Sequence, residues 1–286
     1  MTETQESRFK VVAAYKFFDL KNALEIRFPL RDFCKSLGMK GTILLASEGL
    51  NSFLAGTEEA IETYKKEAVS QFGLPSMTYK EHFSHRQPFT RMLVKIKKEI
   101  ISTGMPDLRP ADYTAPALSP NEFKKWLDEK KEVTVFDTRN HYEVKLGKFK
   151  GAIDLNVRSF REFAAKSAKL PDELKSKPVV MYCTGGIRCE KAGALFLQKY
   201  GFKEVYQLQG GILNYFKVAG DSHFEGECMV FDHRVGIDAN DSETNKCFVC
   251  ESKLSFEDIK SADFIAFKHC PHCKNQELLQ ANEAAS

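Results

Sequence analysis

The sequence has no apolar run close to the ~20 residues that a membrane-spanning helix needs, so a chain embedded in or bound to a membrane is not expected. Its polar start, from Met1 to Lys10, lacks the apolar core of a secretory leader, and residues 1–8 read as disordered. With no secretory signal, the 8 cysteines argue for free thiols and bound metal, not disulfides. No flavin, haem or iron-triad motif is evident. A cytoplasmic location is expected. What is present is ordinary for a globular protein: 286 residues, 43% apolar and 28% charged, enough for two domains or two plus a small module. The net charge of +3 conceals an asymmetry, because residues 1–110 and 111–220 are mildly basic and 221–286 are acidic. A mildly basic surface is compatible with RNA, although solvated lysines give the same count.

In the first third, the pattern predicts strands over 10–17, 41–46 and 52–55, helices over 22–37 and 57–72, a turn at 47–51, and a last strand over 92–101. That order, βαββαβ over residues 1–102, is the ferredoxin-like split unit. It hosts nucleic-acid binders and plain interaction domains alike, so it does not decide function. His82 and His85, with Arg86 and Arg91 nearby, fall in a polar connection before the last strand, a solvated loop by default. Lys95, Lys97 and Lys98 read as a charged, aggregation-resistant edge or as a phosphate contact. Residues 102–116, with three prolines and a glycine, read as an interdomain linker.

The stretch that carries chemistry runs from Val179 to Ala192. It opens as a β-branched run suited to a buried strand, turns through Gly185 and Gly186, and enters an apolar-periodic helix over 192–200. Cys183 thus stands at a strand end ahead of a helix N-terminus. Unpaired N–H groups and the positive end of the helix dipole favour a thiolate there, which should lower its pKa and activate it as a nucleophile. Thr184, Gly185, Gly186 and Ile187 form the loop, and Arg188 adds a planar cation suited to an oxyanion or a persulfide. A buried structural cysteine is the bland alternative. Cys189, expected on the first helical turn, either packs or resolves an oxidised Cys183 through a disulfide. Upstream, a buried strand over 133–136 delivers Asp137 and Arg139 to the same sheet edge, where a structural ion pair is favoured over direct catalysis. Strands alternate with helices over 117–219, implying a parallel sheet covered on both faces.

Cys183-Thr184-Gly185-Gly186-Ile187-Arg188 resembles the active-site loop of the rhodanese superfamily, whose cysteine carries sulfur as a persulfide. Two more signatures of that superfamily flank it: Val135 to Glu143 with Gly147 and Gly151-Ala152-Ile153, then Gly201-Phe202 with Val205 to Ile212. Lys148-Phe149 replaces the usual His-Ile, and Tyr215 stands near where a tryptophan is common. The related phosphatases place an arginine six residues after the cysteine. Here that residue is Cys189, so phosphatase chemistry is not expected.

Residues 220–286 form the third segment. Cys247-Phe248-Val249-Cys250 and Cys270-Pro271-His272-Cys273 are two Cys-x2-Cys knuckles separated by 19 residues, the spacing of a four-cysteine structural zinc site. His269 and His272 are alternative donors for one position, and a tail this small gains folding energy from metal. With Ala46 to Asn51, Lys97 to Ile101, Cys183 to Lys191 and Gly226 to Asp232, the whole chain resembles the rhodanese-containing tRNA uridine hydroxylases. The resemblance implies 5-hydroxylation of the wobble uridine in the tRNA anticodon loop, with molecular oxygen as co-substrate and Cys183 as catalytic residue. A sulfurtransferase fed by a sulfur donor, or a non-enzymatic RNA-binding or redox-sensing module, are the competing expectations.

Overall fold

In the computed structural model the residues described are 8–230, 236–240, 243–244, 246–247, 249–250, 252–265 and 269–274. The expectation for residues 1–7, and Phe231 and Asp232 of the last motif, lie outside them. The chain folds as two compact units, Met1–Thr114 and Ala115–Ser286.

The first unit contains β1 (Phe9–Phe17), α1 (Ala23–Ser36), β2 (Lys40–Ala46), β3 (Gly49–Gly56), α2 (Glu58–Ser70), β4 (Lys80–Ser84) and β5 (Met92–Ile96). Its sheet order is β4-β1-β3-β2-β5, the four-stranded ferredoxin-like arrangement with a fifth strand added parallel to β2. The closing strand is therefore β4, where the sequence pattern shows only a connection and points to the Met92 strand instead. Lys-Glu-His-Phe-Ser has too little apolar content to signal a strand, yet it pairs with β1 as an edge, placing His82 opposite Val11; His85 follows in a bend. The α2 start is set by Thr57, whose hydroxyl accepts the Ala60 N–H, and by Glu58 and Glu59 in the first turn. Val12, Leu30, Ile43, Leu54, Ile61 and Tyr64 fill the core between helices and sheet. Part of the expected linker is fixed to this unit. The buried Glu99 carboxylate accepts the N–H groups of Thr103 and Gly104, and Glu48 accepts the Ile100 N–H at 2.7 Å.

The second unit runs β6 (Ala117–Leu118), α3 (Pro120–Asp128), β7 (Thr134–Asp137), α4 (His141–Val144), β8 (Gly147–Phe149), β9 (Ile153–Asp154), α5 (Phe160–Ser167), α6 (Asp172–Lys175), β10 (Val179–Tyr182), α7 (Ile187–Gln198), β11 (Val205–Leu208) and α8 (Gly211–Ala219). All pairs of the sheet β6-β11-β10-β7-β9 are parallel. Alternation along β7 sends Val135 into one aromatic-rich core, with Phe123, Trp126, Tyr182 and Tyr215, while Phe136 faces Phe196 in another. The tail adds β12 (Phe224–Gly226), β13 (Cys228–Met229), β14 (Gly236–Ile237), β15 (Glu243–Thr244) and α9 (Phe256–Lys260). Strand β12 pairs with β8, and β13, β14 and β15 form a small antiparallel sheet.

Candidate active site and metal centre

Strand β10 is buried along its whole length between β11 and β7, and Cys183 follows its last residue. Its Sγ accepts the Gly186 N–H at 2.9 Å. Gly186 caps α7 with φ +101, a left-handed conformation that costs an L side chain but not glycine. The helix starts at Ile187, five residues before the apolar periodicity places it, and Cys189 sits in its first turn. The α8 start holds the loop from the other side. Ile212 and Leu213 donate their N–H groups to the carbonyls of Cys183 and Thr184 at 2.9 and 3.2 Å. A Cβ on Gly211 would lie 2.3 Å from the Cys183 carbonyl oxygen, so this close approach requires glycine.

Arg188 does not stand as a bare cation beside the cysteine. Its Nη1 and Nη2 donate to the two carboxylate oxygens of Glu143 at 2.5 and 2.8 Å, and both side chains are buried. Burial alone would raise the Glu143 carboxyl; the attraction of Arg188 outweighs it and holds the group below the ordinary carboxylate range. Glu143 also accepts the Asn140 N–H at 3.1 Å, which fixes it to the first turn of α4. Sequence pattern alone does not single out Glu143 as part of the site. The Asn-x-x-Glu spacing of a helix start is the signal that could have found it.

Asp137 and Arg139 form a fully buried forked pair, with Arg139 Nη2 donating to Asp137 Oδ2 and to the Gly147 carbonyl, both at 2.6 Å. They tie the end of β7 to β8. Thr138 donates its hydroxyl to the Tyr182 carbonyl at 3.0 Å and lies 3.6 Å from the Cys189 sulfur. Burial, then a hydrogen bond with Cys183, pushes the Cys189 thiol well up. The tail reaches the same place: Thr184 donates to the Met229 carbonyl at 3.4 Å, and burial pushes the neighbouring Cys228 thiol up to about 12.

The two knuckles converge. The sulfurs of Cys247, Cys250, Cys270 and Cys273 lie within 4.8 Å of one another. The separations are 3.9 Å for Cys247 to Cys273, 3.7 Å for Cys250 to Cys270 and 3.8 Å for Cys270 to Cys273. Zinc–thiolate bonds of about 2.3 Å in a tetrahedron put sulfurs about 3.8 Å apart, so the donor set fits zinc. His269 and His272 do not join it. Their ring nitrogens pair with the Asp263 carbonyl and the Asp258 carboxylate.

Two family descriptions match the chain: "UPF0176 acylphosphatase like domain" over residues 9–100 and "Rhodanese-like domain" over residues 119–217. The chain is 42% identical over 277 residues to a protein of Ralstonia nicotianae named tRNA uridine(34) hydroxylase, covering 94% of this chain and 98% of that one. A protein of the same name from Cupriavidus necator is 42% identical, covering 92% and 95%. A third, from Teredinibacter turnerae, is 41% identical, covering 95% and 85%.

Proposed function

The chain belongs to the tRNA uridine(34) hydroxylase family, and from that premise we propose that it hydroxylates C5 of the wobble uridine with Cys183 as catalytic nucleophile and molecular oxygen as co-substrate. The observation that carries the assignment of Cys183 is its sulfur, 2.9 Å from the Gly186 N–H at the start of α7. A thiolate there is stabilised by an amide and a helix N-terminus, while the Arg188 cation is oriented by Glu143.

Addition of the thiolate to C6 of uracil places the ring's electron density at C5. Capture of an oxygen atom by C5, loss of the C5 proton and expulsion of the thiolate then restore the C5–C6 double bond and the free enzyme. With O2 as oxidant, its second atom leaves as water and a thiol reductant supplies two electrons. Delivery of the oxygen from a persulfide-derived or peroxide-level species on Cys183 is the alternative route. Either route needs the base splayed out of the anticodon loop, which single-stranded RNA permits. We assign the four-cysteine centre to zinc, in a structural role because four thiolates leave no position for substrate. The cytoplasm, where tRNA is available, is the location this reading implies. No helix among the described residues is long and apolar enough to cross a membrane.

The test is mass spectrometry of tRNA nucleosides from cells with the gene, without it, and with Cys183→Ala alone. Loss of a nucleoside one oxygen heavier than uridine in both defective strains is the expected result. Unchanged nucleosides, with sulfur retained on the purified wild-type chain, would overturn the reading in favour of sulfur transfer.

A further inference from the structure

The first unit carries a cationic cavity that the chemistry at Cys183 does not use. It lies where the C-terminal end of α1 meets the starts of β2 and β5, has a volume of about 520 Å³, and is lined by Arg31, Lys35, Lys40 and Arg91 with Met39 and Thr90. The fold explains the cluster. Strands β2 and β5 are parallel neighbours, and the Gly41 N–H donates to the Arg91 carbonyl at 2.8 Å, so Lys40 and Arg91 enter the sheet side by side. Gly38, at φ +68, turns the chain from α1 into β2 and brings Lys35 to the same corner.

Among the described residues, Lys35, Lys40 and Arg91 form no ion pair, and Arg31 pairs with the exposed Asp32 at 2.8 Å. Asp32 offsets one of the four charges and also attracts Lys35, which leaves a net positive cavity whose remaining repulsion an anion relieves. Arg27, Arg31 and Lys35 recur every four residues and so share one face of α1. On that helix Phe28 is 51% exposed, with the guanidinium groups of Arg27 and Arg31 4.8 and 5.0 Å from its ring centre. An exposed aromatic ring braced by arginines, beside a cavity of cations, is the pairing that single-stranded nucleic acid uses: cations for phosphates and a ring face for a base.

We propose that this corner of the first unit binds the sugar–phosphate backbone of tRNA, with phosphates in the cavity and an unstacked base against Phe28. The choice of tRNA over other polyanions rests on the hydroxylase reading.

The experiment measures binding of an unmodified tRNA transcript by fluorescence anisotropy across a salt series. It compares the wild-type chain, Lys35→Glu/Lys40→Glu/Arg91→Glu, the milder Lys35→Gln/Arg91→Gln, Phe28→Ala, and Lys66→Glu. Lys66 lies on α2 outside the cavity, with a side chain 82% exposed. Far-ultraviolet circular dichroism checks folding, and the neutral pair decides if the reversed triple variant does not fold. Charge reversal is expected to weaken binding about tenfold or more. It should also flatten the plot of log K against log salt by about 2–3, since each phosphate that a cation neutralises contributes ~0.7–0.9 to that slope. Phe28→Ala should weaken binding about fivefold or more at unchanged slope, and Lys66→Glu should change neither.

Hydroxylated uridine is measured on the same proteins. Affinity and slope retained in folded cavity variants, with hydroxylation present in the wild type, overturn the proposal and leave the hydroxylase reading standing. Weakened binding in those variants, with no hydroxylated uridine from the wild type, supports the RNA face and sinks the hydroxylase reading. Equal weakening by Lys66→Glu overturns the proposal, because net charge alone then explains the binding.

Discussion

Replacing Glu143 with glutamine keeps the shape of the side chain and removes its charge. The wild-type carboxylate is fully buried and meets both terminal nitrogens of Arg188, at 2.5 and 2.8 Å. Glutamine has one acceptor for those two donors, and its amide N–H groups then face the guanidinium. Arg188 is left as a charge in a low-dielectric site. Breaking one half of a buried pair costs roughly 3–5 kcal/mol. With a urea slope of about 2 kcal/mol/M, the unfolding midpoint should fall by about 2 M. Trp126, the single tryptophan, lies in α3 of the same unit, so its fluorescence follows the unit that holds the pair.

Two controls sharpen this. Glu143→Leu/Arg188→Met removes both charges and should recover much of the stability, since buried pairs are often replaceable by apolar residues of similar volume, but it should not recover hydroxylation. The pH dependence has a definite sign. The Glu143 carboxyl in the folded state is held below its ordinary value, so its contribution is present above the unfolded carboxylate pKa of about 4.3 and is lost as pH falls through the lowered folded value. The gap between wild type and Glu143→Gln should therefore narrow only below about pH 4.3. A loss under about 1 kcal/mol at pH 7, far short of the cost of an unpaired buried charge, would refute the argument that Glu143 holds the loop's arginine.

Gly211→Ala should abolish hydroxylation and destabilise the second unit. The added Cβ would lie 2.3 Å from the Cys183 carbonyl oxygen at a backbone φ of +69; thermal melting and nucleoside analysis check both effects. Purified protein should carry one zinc per chain by metal analysis, and Cys250→Ser should lower that content while leaving the first unit folded, as read by circular dichroism. Cys189→Ala should keep hydroxylation within about threefold, because burial holds that thiol protonated at neutral pH; arrested turnover with an oxidised Cys183, seen by intact-protein mass spectrometry, would instead give Cys189 a resolving role.

The parts of the chain that are legible in the sequence are those with strong periodicity or fixed spacing. The β10 run ending at Cys183, the two knuckles and the βαββα order of the first unit all announce themselves locally. Strand β4 does not, because its polar composition obeys the needs of a sheet edge instead of those of a core. The helix after the cysteine reads as starting late because Arg188, Glu190 and Lys191 look solvated in one dimension. Yet Arg188 and Lys191 are buried, and Arg188 is paired across the fold with Glu143. Long-range satisfaction of a buried charge leaves no local pattern. The same holds for Met229, whose carbonyl meets Thr184 from 45 residues away.

These long-range contacts also decide which part of the site can move. Cys183 has 0% of its surface exposed, so a uracil ring cannot reach its sulfur without displacing something. The carbonyls of Cys183 and Thr184 are held by α8 amides, the Thr184 hydroxyl by β13, and the Arg188 guanidinium by Glu143. Between those anchors lie Gly185, Gly186 and Ile187, of which Gly185 and Ile187 are half-buried at the surface. Gly186 is itself tied in on both sides: its N–H meets the Cys183 sulfur, and its carbonyl accepts the Cys189 and Glu190 N–H groups at the start of α7, at 2.9 and 3.2 Å. On the proposed reading, a base that meets the sulfur must therefore disturb the start of α7 or one of the other anchors, so the opening that admits substrate and the amide contact that stabilises the thiolate are coupled through Gly186.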